Sequence, residues 1–367
     1  MPLGNAPLIH TWEIMKANTQ SRVTQRDVAN ALGVEVTTVS KALRNHPAVA
    51  AKTKERVLSK AAELGYRRDP MLSALANHRR GLQALPRQAA IAWVHNHPRA
   101  INMEVFPGYP EYLAGARQRA EKLGYGLESF YIDGSKLTAE RLDRMLQARG
   151  IQCVVVAPQP TASGTLVLSW DRLCGVAIGY TLSSPRLNLV TNDHFLTMSD
   201  LLQRLRERGY ARIGCYLSNA ENERMGRRAS SAFMAYSKEC RVHVKMFEYF
   251  KDQDFIRWVD VRRLDAVIAP GELAWQALQS ANRTPPETIG LAGYALAEDE
   301  THVTGMSHNN RRIGELAVDF LCRAFEQGDF GLPDHPVRVL VPPVWLENRT
   351  LCGSGMNCLP TTLATSD

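Results

Sequence analysis

From residue 88 onward the chain alternates short apolar runs with amphipathic stretches. This alternation restricts the fold more than any other feature. The runs are 90–94, 127–132, 153–157, 176–178, 213–217, 266–269 and 289–292. Between them, 111–123, 137–148, 198–208 and 272–281 carry helical spacing. Strand-length apolar runs separated by helices predict parallel sheet, because a parallel pair needs a crossover and a helix supplies one. The stretch from 87 to 351 is too long for one compact layer set, so two lobes are expected.

The first eighty residues follow a different pattern. Thr24 opens a short helix, and Asp27 three positions later can complement its free amides, a variant of the capping box. Val28, Ala29 and Leu32 form an apolar face, and Gly33 ends the helix. Val34 begins a second element with Val39, Ala42 and Leu43 facing inward. A third helix is expected over 51–64, with Val57, Ala61 and Leu64 on one stripe and Gly65 as its stop.

Charge divides the chain at the same place. Up to Arg80 there are 13 Lys/Arg against 6 Asp/Glu, and beyond it 31 against 31. The whole excess of +7 therefore sits in the first fifth, as a polyanion-binding segment requires. Helix, glycine turn and second helix form a helix-turn-helix, with Gly33 supplying the positive φ of the tight turn. The second helix would enter the major groove with Val36, Thr37, Thr38 and Lys41 towards the bases.

Other function classes find little support. No run approaches the roughly 20 apolar residues of a membrane helix. Residues 1–20 lack the apolar core of a signal peptide, so a cytoplasmic protein is expected. The cysteines number 7, an odd count without a C-x-x-C pair, and read as reduced structural thiols; Cys153 lies in an apolar run. There is no G-x-S-x-G, H-E-x-x-H, phosphate-loop or dinucleotide motif, so neither an enzyme nor a cofactor nor a metal is expected. His95 and His97 stand one residue apart without evident ligand partners and read as part of a solvated loop. Residues 1–22 are expected to be a disordered extension, with Met15 as an alternative start. The tail 352–367 lacks a leucine heptad, which favours a dimer over a coiled-coil tetramer.

One stretch is more specific. Val23-Thr24, Asp27-Val28-Ala29, Gly33-Val34, Thr38-Val39-Ser40-Lys41-Ala42-Leu43, Val49, Lys52-Thr53, Arg56-Val57 and Glu63-Leu64-Gly65-Tyr66 follow in order. Over Val23–Leu75 the sequence resembles the headpiece of the lactose-repressor (LacI/GalR) family, and more loosely so to Leu351. The resemblance implies an all-α helix-turn-helix headpiece over 23–68 and a hinge helix and linker over 69–86. A two-lobed α/β core with parallel sheets, like a periplasmic binding protein, would follow over 87–351. Lobe boundaries are expected near 87–188 with 308–332, and 189–307 with 333–351.

It further implies a homodimer on a near-palindromic double-stranded operator, acting as a repressor in the family's usual manner, with no membrane role. Val36, Thr37 and Lys41 fall where the family reads major-groove bases. Thr24, Thr38, Ser40, Arg44, Thr53 and Tyr66 fall at phosphate contacts. Leu75 falls at the hinge leucine that wedges into the minor groove. Two departures stand out: Glu35 replaces the usual Ser cap of the recognition helix, and Ala50 replaces that of the third helix.

For the core, the resemblance is best over Leu187–Gly214 and implies an allosteric effector, a sugar or related metabolite, between the lobes. Ligand sites in such folds lie at strand C-terminal ends. The candidates are Tyr109, Asp193, Arg227, Arg228, Glu272, Trp275, Tyr294 and His308. Glu272 stands where Asp is usual, Ala295-Leu296 replaces Asp-Asp, and His308 stands where Gln is common, so the pocket departs from a standard hexose or pentose site. A solute-binding protein without a DNA role and an α/β enzyme are the rival readings. The first would require a neutral N-terminus and the second a catalytic constellation.

Overall fold

A computed structural model describes residues 23–43, 49–66, 90–98, 108–236 and 241–352. They belong to two compact units, one before residue 86 and one after it.

Among the described residues the N-terminal unit has three helices, α1 (Gln25–Leu32), α2 (Val36–Leu43) and α3 (Ala51–Glu63). The capping box at the start of α1 is complete: the Asp27 amide donates to Thr24 Oγ1 at 3.3 Å, and the Thr24 amide donates to Asp27 Oδ2 at 2.8 Å. Gly33 closes α1 in the left-handed region at φ +65°, where its amide reaches the Ala29 and Asn30 carbonyls. Val28, Ala29, Val39, Ala42, Val49, Val57 and Ala61 form the core of this unit. Ala50 gives α3 no side-chain cap, as its sequence implied.

The larger unit holds two six-stranded sheets. The first contains β1 (Ala90–His95), β2 (Gly126–Tyr131), β3 (Cys153–Val156), β5 (Cys174–Ile178), β7 (Asn188–Asn192) and β13 (Arg338–Val341), in the order β13-β7-β5-β3-β1-β2 and parallel throughout. The short pair β4 (Gly164–Thr165) and β6 (Leu182–Ser184) stands beside it. The second contains β8 (Arg212–Ser218), β9 (Arg241–Phe247), β10 (Ala266–Ala269), β11 (Gly290–Leu296), β12 (Thr304–Ser307) and β14 (Val344–Leu346), in the order β14-β12-β11-β10-β8-β9. Only β14 runs antiparallel among its members.

Helices cover both faces of each sheet, which is why β3 and β10 are apolar at every position rather than at alternate ones. In the first lobe α4 (Tyr109–Lys122) and α11 (Asn310–Gln327) pack on one face, and α5 (Ala139–Arg149) on the other. In the second, α6 (His194–Glu207) and α8 (Arg228–Tyr236) pack on one face, and α9 (Asp252–Arg262) and α10 (Gly271–Ser280) on the other. The short α7 (Asn219–Arg224) follows β8. Two glycines let α4 and α11 touch: a Cβ on Gly115 would lie 2.0 Å from the Arg311 carbonyl oxygen, and one on Gly314 2.0 Å from that of Tyr112.

The chain crosses between lobes after β7, after β12 and between β13 and β14. The expected boundaries at 188 and 332 therefore move. The segments 189–192 and 338–341, placed by sequence in the second lobe, are strands of the first sheet. They were missed because sheet membership is set by pairing between distant strands, which no local pattern records. Asn192, fully buried, ties the crossovers together. Its Nδ2 donates to the His308 and Val341 carbonyls at 3.3 and 3.4 Å, and its Oδ1 accepts from Thr197 at 2.9 Å.

Cys153, Cys174, Cys215 and Cys322 are buried free thiols, and Cys352 is a half-buried one; Cys240 and Cys358 lie outside the described residues. Among the described residues no helix is long and apolar enough to cross a membrane.

Candidate functional site

On α2 the polar and apolar faces separate cleanly. Val39 and Ala42 are buried, while Val36, Thr37 and Lys41 are exposed. Thr37 and Lys41 are four residues apart and so share a face. Their surroundings are unencumbered except at Thr37, whose hydroxyl donates to Glu35 Oε2 at 3.2 Å. Thr38, Ser40, Thr53 and Tyr66 are half-buried, and the Tyr66 hydroxyl accepts from Gln25 Nε2 at 3.1 Å. The Thr24 hydroxyl serves the capping box. Arg44 and Leu75 lie outside the described residues, as do residues 1–22, the hinge and the tail beyond Cys352.

In the larger unit the C-terminal ends of the parallel strands converge between the lobes. On the first lobe the wall is aromatic. His95, the last residue of β1, pairs in register with Tyr131 of β2, and their rings stack at 4.0 Å. Its Nδ1 lies 3.0 Å from the Tyr109 hydroxyl at the start of α4. His97 stands edge-on to His95 at 5.6 Å, and its Nδ1 reaches the Pro98 carbonyl oxygen at 3.0 Å. Burial pulls the His97 pKa down, and its Nε2 lacks a partner among the described residues. The reading of His95 and His97 as a solvated loop is thus wrong: they are 2% and 4% exposed. The strand continues one residue past its last apolar position, and the cross-strand tyrosine that shelters the ring comes from another segment.

Arg224 of α7 carries the second lobe towards this wall. Burial lowers its pKa, while Tyr112, Glu221 and Tyr109 favour its charge. Burial pushes the Glu221 pKa up, and its Oε2 accepts a hydrogen bond from the Tyr294 hydroxyl. At another edge the Glu298 amide donates to Glu111 Oε1 at 2.9 Å, and Arg311 pairs with Glu298 at 3.2 Å, bridging the lobes.

A further cluster surrounds Tyr180, which follows β5. The Arg228 guanidinium lies 3.7 Å from its ring centroid and that of Arg338 lies 6.0 Å away. His194 stands 6.1 Å from the same ring and 5.0 Å from His308. Burial holds both histidines neutral: His194 is driven well below its ordinary value, with His308 and Arg228 adding to the effect, and His308 falls to about 4. Beside the cluster lies a cavity of about 440 Å³, lined by Thr161, Ala162 and Ser163 of one lobe and Glu223, Gly226 and Arg227 of the other.

Of the sequence candidates, Tyr109, Arg228 and His308 stand in the cleft and Tyr294 lies beneath it through Glu221. Arg227 is at the cavity mouth, paired with Glu223 at 3.3 Å. Asp193 borders Tyr180, but its Oδ1 caps α6 by accepting from the Leu196 amide at 3.0 Å. Glu272, just past the C-terminal end of β10, is exposed and accepts from Gln276 Nε2 at 2.7 Å, and Trp275 packs against the α9–α10 core of the second lobe. Sequence reasoning missed His95, His97, Tyr131, Tyr180, His194, Glu221 and Arg224. For His95, His97 and Tyr180 the signal that would have found them is position, since each stands just past an apolar run. Among the described residues no group of three or more His, Cys, Asp or Glu is placed to hold a metal.

Comparison with known proteins adds three findings. Residues 24–69 match the family described as bacterial regulatory proteins, lacI family. The chain is 30% identical over 165 residues to the HTH-type transcriptional regulator GntR of Pseudomonas aeruginosa, covering 42% of this chain and 48% of that one. It is 29% identical over 143 residues to the HTH-type transcriptional regulator Rv3575c of Mycobacterium tuberculosis, covering 39% and 37%. The aligned stretch thus spans about half the length of the first relative and less of the second. In fold, the chain is similar to the lac repressor bound to ONPG in its repressed state, at TM-score 0.53 and 17% identity over 90% of this chain and 100% of that one. It is likewise similar to a CelR–cellobiose complex, at TM-score 0.51 and 20% identity with the same coverage.

Proposed function

We propose that the chain, whose residues 24–69 match the lacI family of bacterial regulatory proteins, is a regulator of that family that binds operator DNA as a homodimer and releases or holds it according to a small molecule in the inter-lobe cleft. The observation that carries this reading is the exposed face of α2, set on a rigid capped scaffold in the basic fifth of the chain. Val36, Thr37 and Lys41 read base edges there, Lys41 as a donor to guanine. Thr24, Thr38, Ser40, Arg44, Thr53 and Tyr66 hold phosphates and fix the register. Leu75 enters the minor groove as a wedge.

Tyr109, Arg228 and His308 contact the effector, with Tyr294 and Glu221 as their support. The lobes turn about the Asn192 crossovers, and that turn changes the spacing of the two headpieces on the two-fold site. The protein works in the cytoplasm without catalytic activity, and its neighbours with bound cellobiose or ONPG suggest a sugar-like effector.

The test is binding to promoter DNA across a salt series. Affinity should fall steeply with salt, with a slope reflecting several phosphates. Lys41→Ala should weaken operator binding about ten- to a hundredfold while costing non-specific DNA far less. Leu75→Ala should likewise cost the operator more than random sequence. A flat salt response would overturn the reading.

A further inference from the structure

We propose that the subsite formed by Tyr180, Arg228 and Arg338 binds an anionic group of the effector, a carboxylate or a phosphate ester. The inference rests on the cleft being the effector site, and it narrows the ligand from sugar-like to acidic.

Two guanidinium groups approach one tyrosine ring, Arg228 from the second lobe at 3.7 Å and Arg338 from the first at 6.0 Å. Neither makes an ion pair with a described residue. Arg228 Nη1 donates to the Gly226 carbonyl at 3.2 Å, and the ring covers the guanidinium's face, so its remaining edge N–H groups point away from the ring. Asp193, whose charge bears on Tyr180, has one carboxylate oxygen engaged at the α6 N-terminus. The other nearby carboxylate, Glu223, is paired with Arg227 at the cavity mouth. Two like charges thus stand together, and among the described residues no carboxylate is paired with either.

The histidines beside them are also incomplete. His194 Nδ1 and His308 Nε2 are buried without a partner among the described residues. Buried nitrogens without partners are costly, so these two mark where a ligand atom belongs. A neutral polyol would satisfy the two nitrogens but leave both guanidiniums unmatched, and a cation would be repelled by them. An anion satisfies both demands. Room for the rest of the molecule adjoins the subsite: Gly226 lines the 440 Å³ cavity, and a Cβ there would lie 2.2 Å from Arg228 Nη1 and 3.6 Å from Tyr180 Cγ. Because Tyr180 and Arg338 belong to one lobe and Arg228 to the other, such a ligand draws the lobes together.

The proposal has a pH signature. In the free protein burial holds His194 and His308 below their ordinary value; beside an anion their charged forms are favoured, so the complex binds more protons than its parts. Affinity for the anion therefore rises as pH falls from neutrality towards the value of about 4 at which His308 takes up its proton.

The test uses the full-length protein and a panel of six-carbon aldonates, uronates and hexose phosphates beside the parent hexoses and hexitols, screened by thermal shift and followed by calorimetry at pH 7, 6 and 5. At least one acid or phosphate should stabilise the protein while its neutral parent does not, and which arm responds separates carboxylate from phosphate. Arg228→Ala should weaken that binding about thirty-fold, as loss of one charge-assisted pair does, with Arg228→Lys retaining part of it. Arg338→Ala, at an exposed position, gives a second variant that leaves the fold undisturbed. A panel in which only neutral members bind, or none does, or unchanged affinity in both alanine variants, would overturn the proposal. Salt-dependent operator binding by the same preparation would leave the regulator reading standing in each of those cases.

Discussion

The residues proposed to read DNA stand between Val36 and Lys41 on a single helix, whereas the groups around Tyr180 come from positions 180, 194, 228, 308 and 338. The first set is positioned by local rules: a capping box, a left-handed glycine and a helical spacing that turns Val39 and Ala42 inward and Thr37 and Lys41 outward. The second is positioned by sheet order and by the three crossovers gathered at Asn192. The difference teaches where each site is vulnerable. The headpiece can be broken from within its own small core. The cleft can be altered by any change that shifts one lobe against the other.

The sharpest way to break the comparison is to destroy one unit alone. Val39 is fully buried in the headpiece core. Val39→Asp places a carboxylate there at a cost of several kcal/mol, more than so small a core can absorb. Operator binding should be abolished while the melting transition of the larger unit stays in place. Retention of operator affinity within tenfold would show that the headpiece does not depend on this core.

The next effect concerns the cleft. Burial drives His308 from its ordinary 6.5 to about 4, so the folded protein binds fewer protons than the unfolded chain between those values. Its contribution to stability is present above pH 6.5 and lost as pH falls towards 4, roughly 3 kcal/mol in all. His194 acts in the same direction. Urea unfolding of the wild type and of His308→Gln at pH 7 and pH 4.5 should show the variant losing less stability on acidification. Equal losses would mean that the imidazole is not held neutral by the fold.

The smallest effect returns to the headpiece. Thr24→Ala removes one half of the capping box and should cost about 1 kcal/mol. In a unit of this size that lowers the headpiece melting temperature by about 4–8 °C. Operator affinity should fall only a few-fold, far less than for Lys41→Ala. Unchanged operator affinity would remove Thr24 from the proposed phosphate contacts and leave it the capping role alone.

Much of the fold was legible before any coordinates. Apolar runs with no alternation marked strands covered on both faces, and Thr24, Asp27 and Gly33 marked the bounds of the first helix. The cleft was legible only in part. Tyr109, Arg228 and His308 were reached through resemblance, as were Glu272, which bonds Gln276 at an exposed helix start, and Trp275, which packs against the α9–α10 core. His95 and His97 were misread, because a histidine next to a proline-containing segment has the local signature of a loop. Its burial depends on Tyr131, whose strand lies beside it only in the folded sheet.

What the sequence determined by itself was whatever lies within a few residues along the chain: helix caps, the exposed face of α2, the parallel α/β class, and the basic N-terminal fifth. Those follow from hydrogen bonds and side-chain spacings that close within a turn or two. The tertiary structure alone decided that β7 and β13 belong to the first lobe, that His95 stacks on Tyr131, and that Arg228 and Arg338 meet over Tyr180. Each of these joins segments far apart in sequence. Their meeting is fixed by strand order and by the buried crossovers, which impose no spacing on the residues between them.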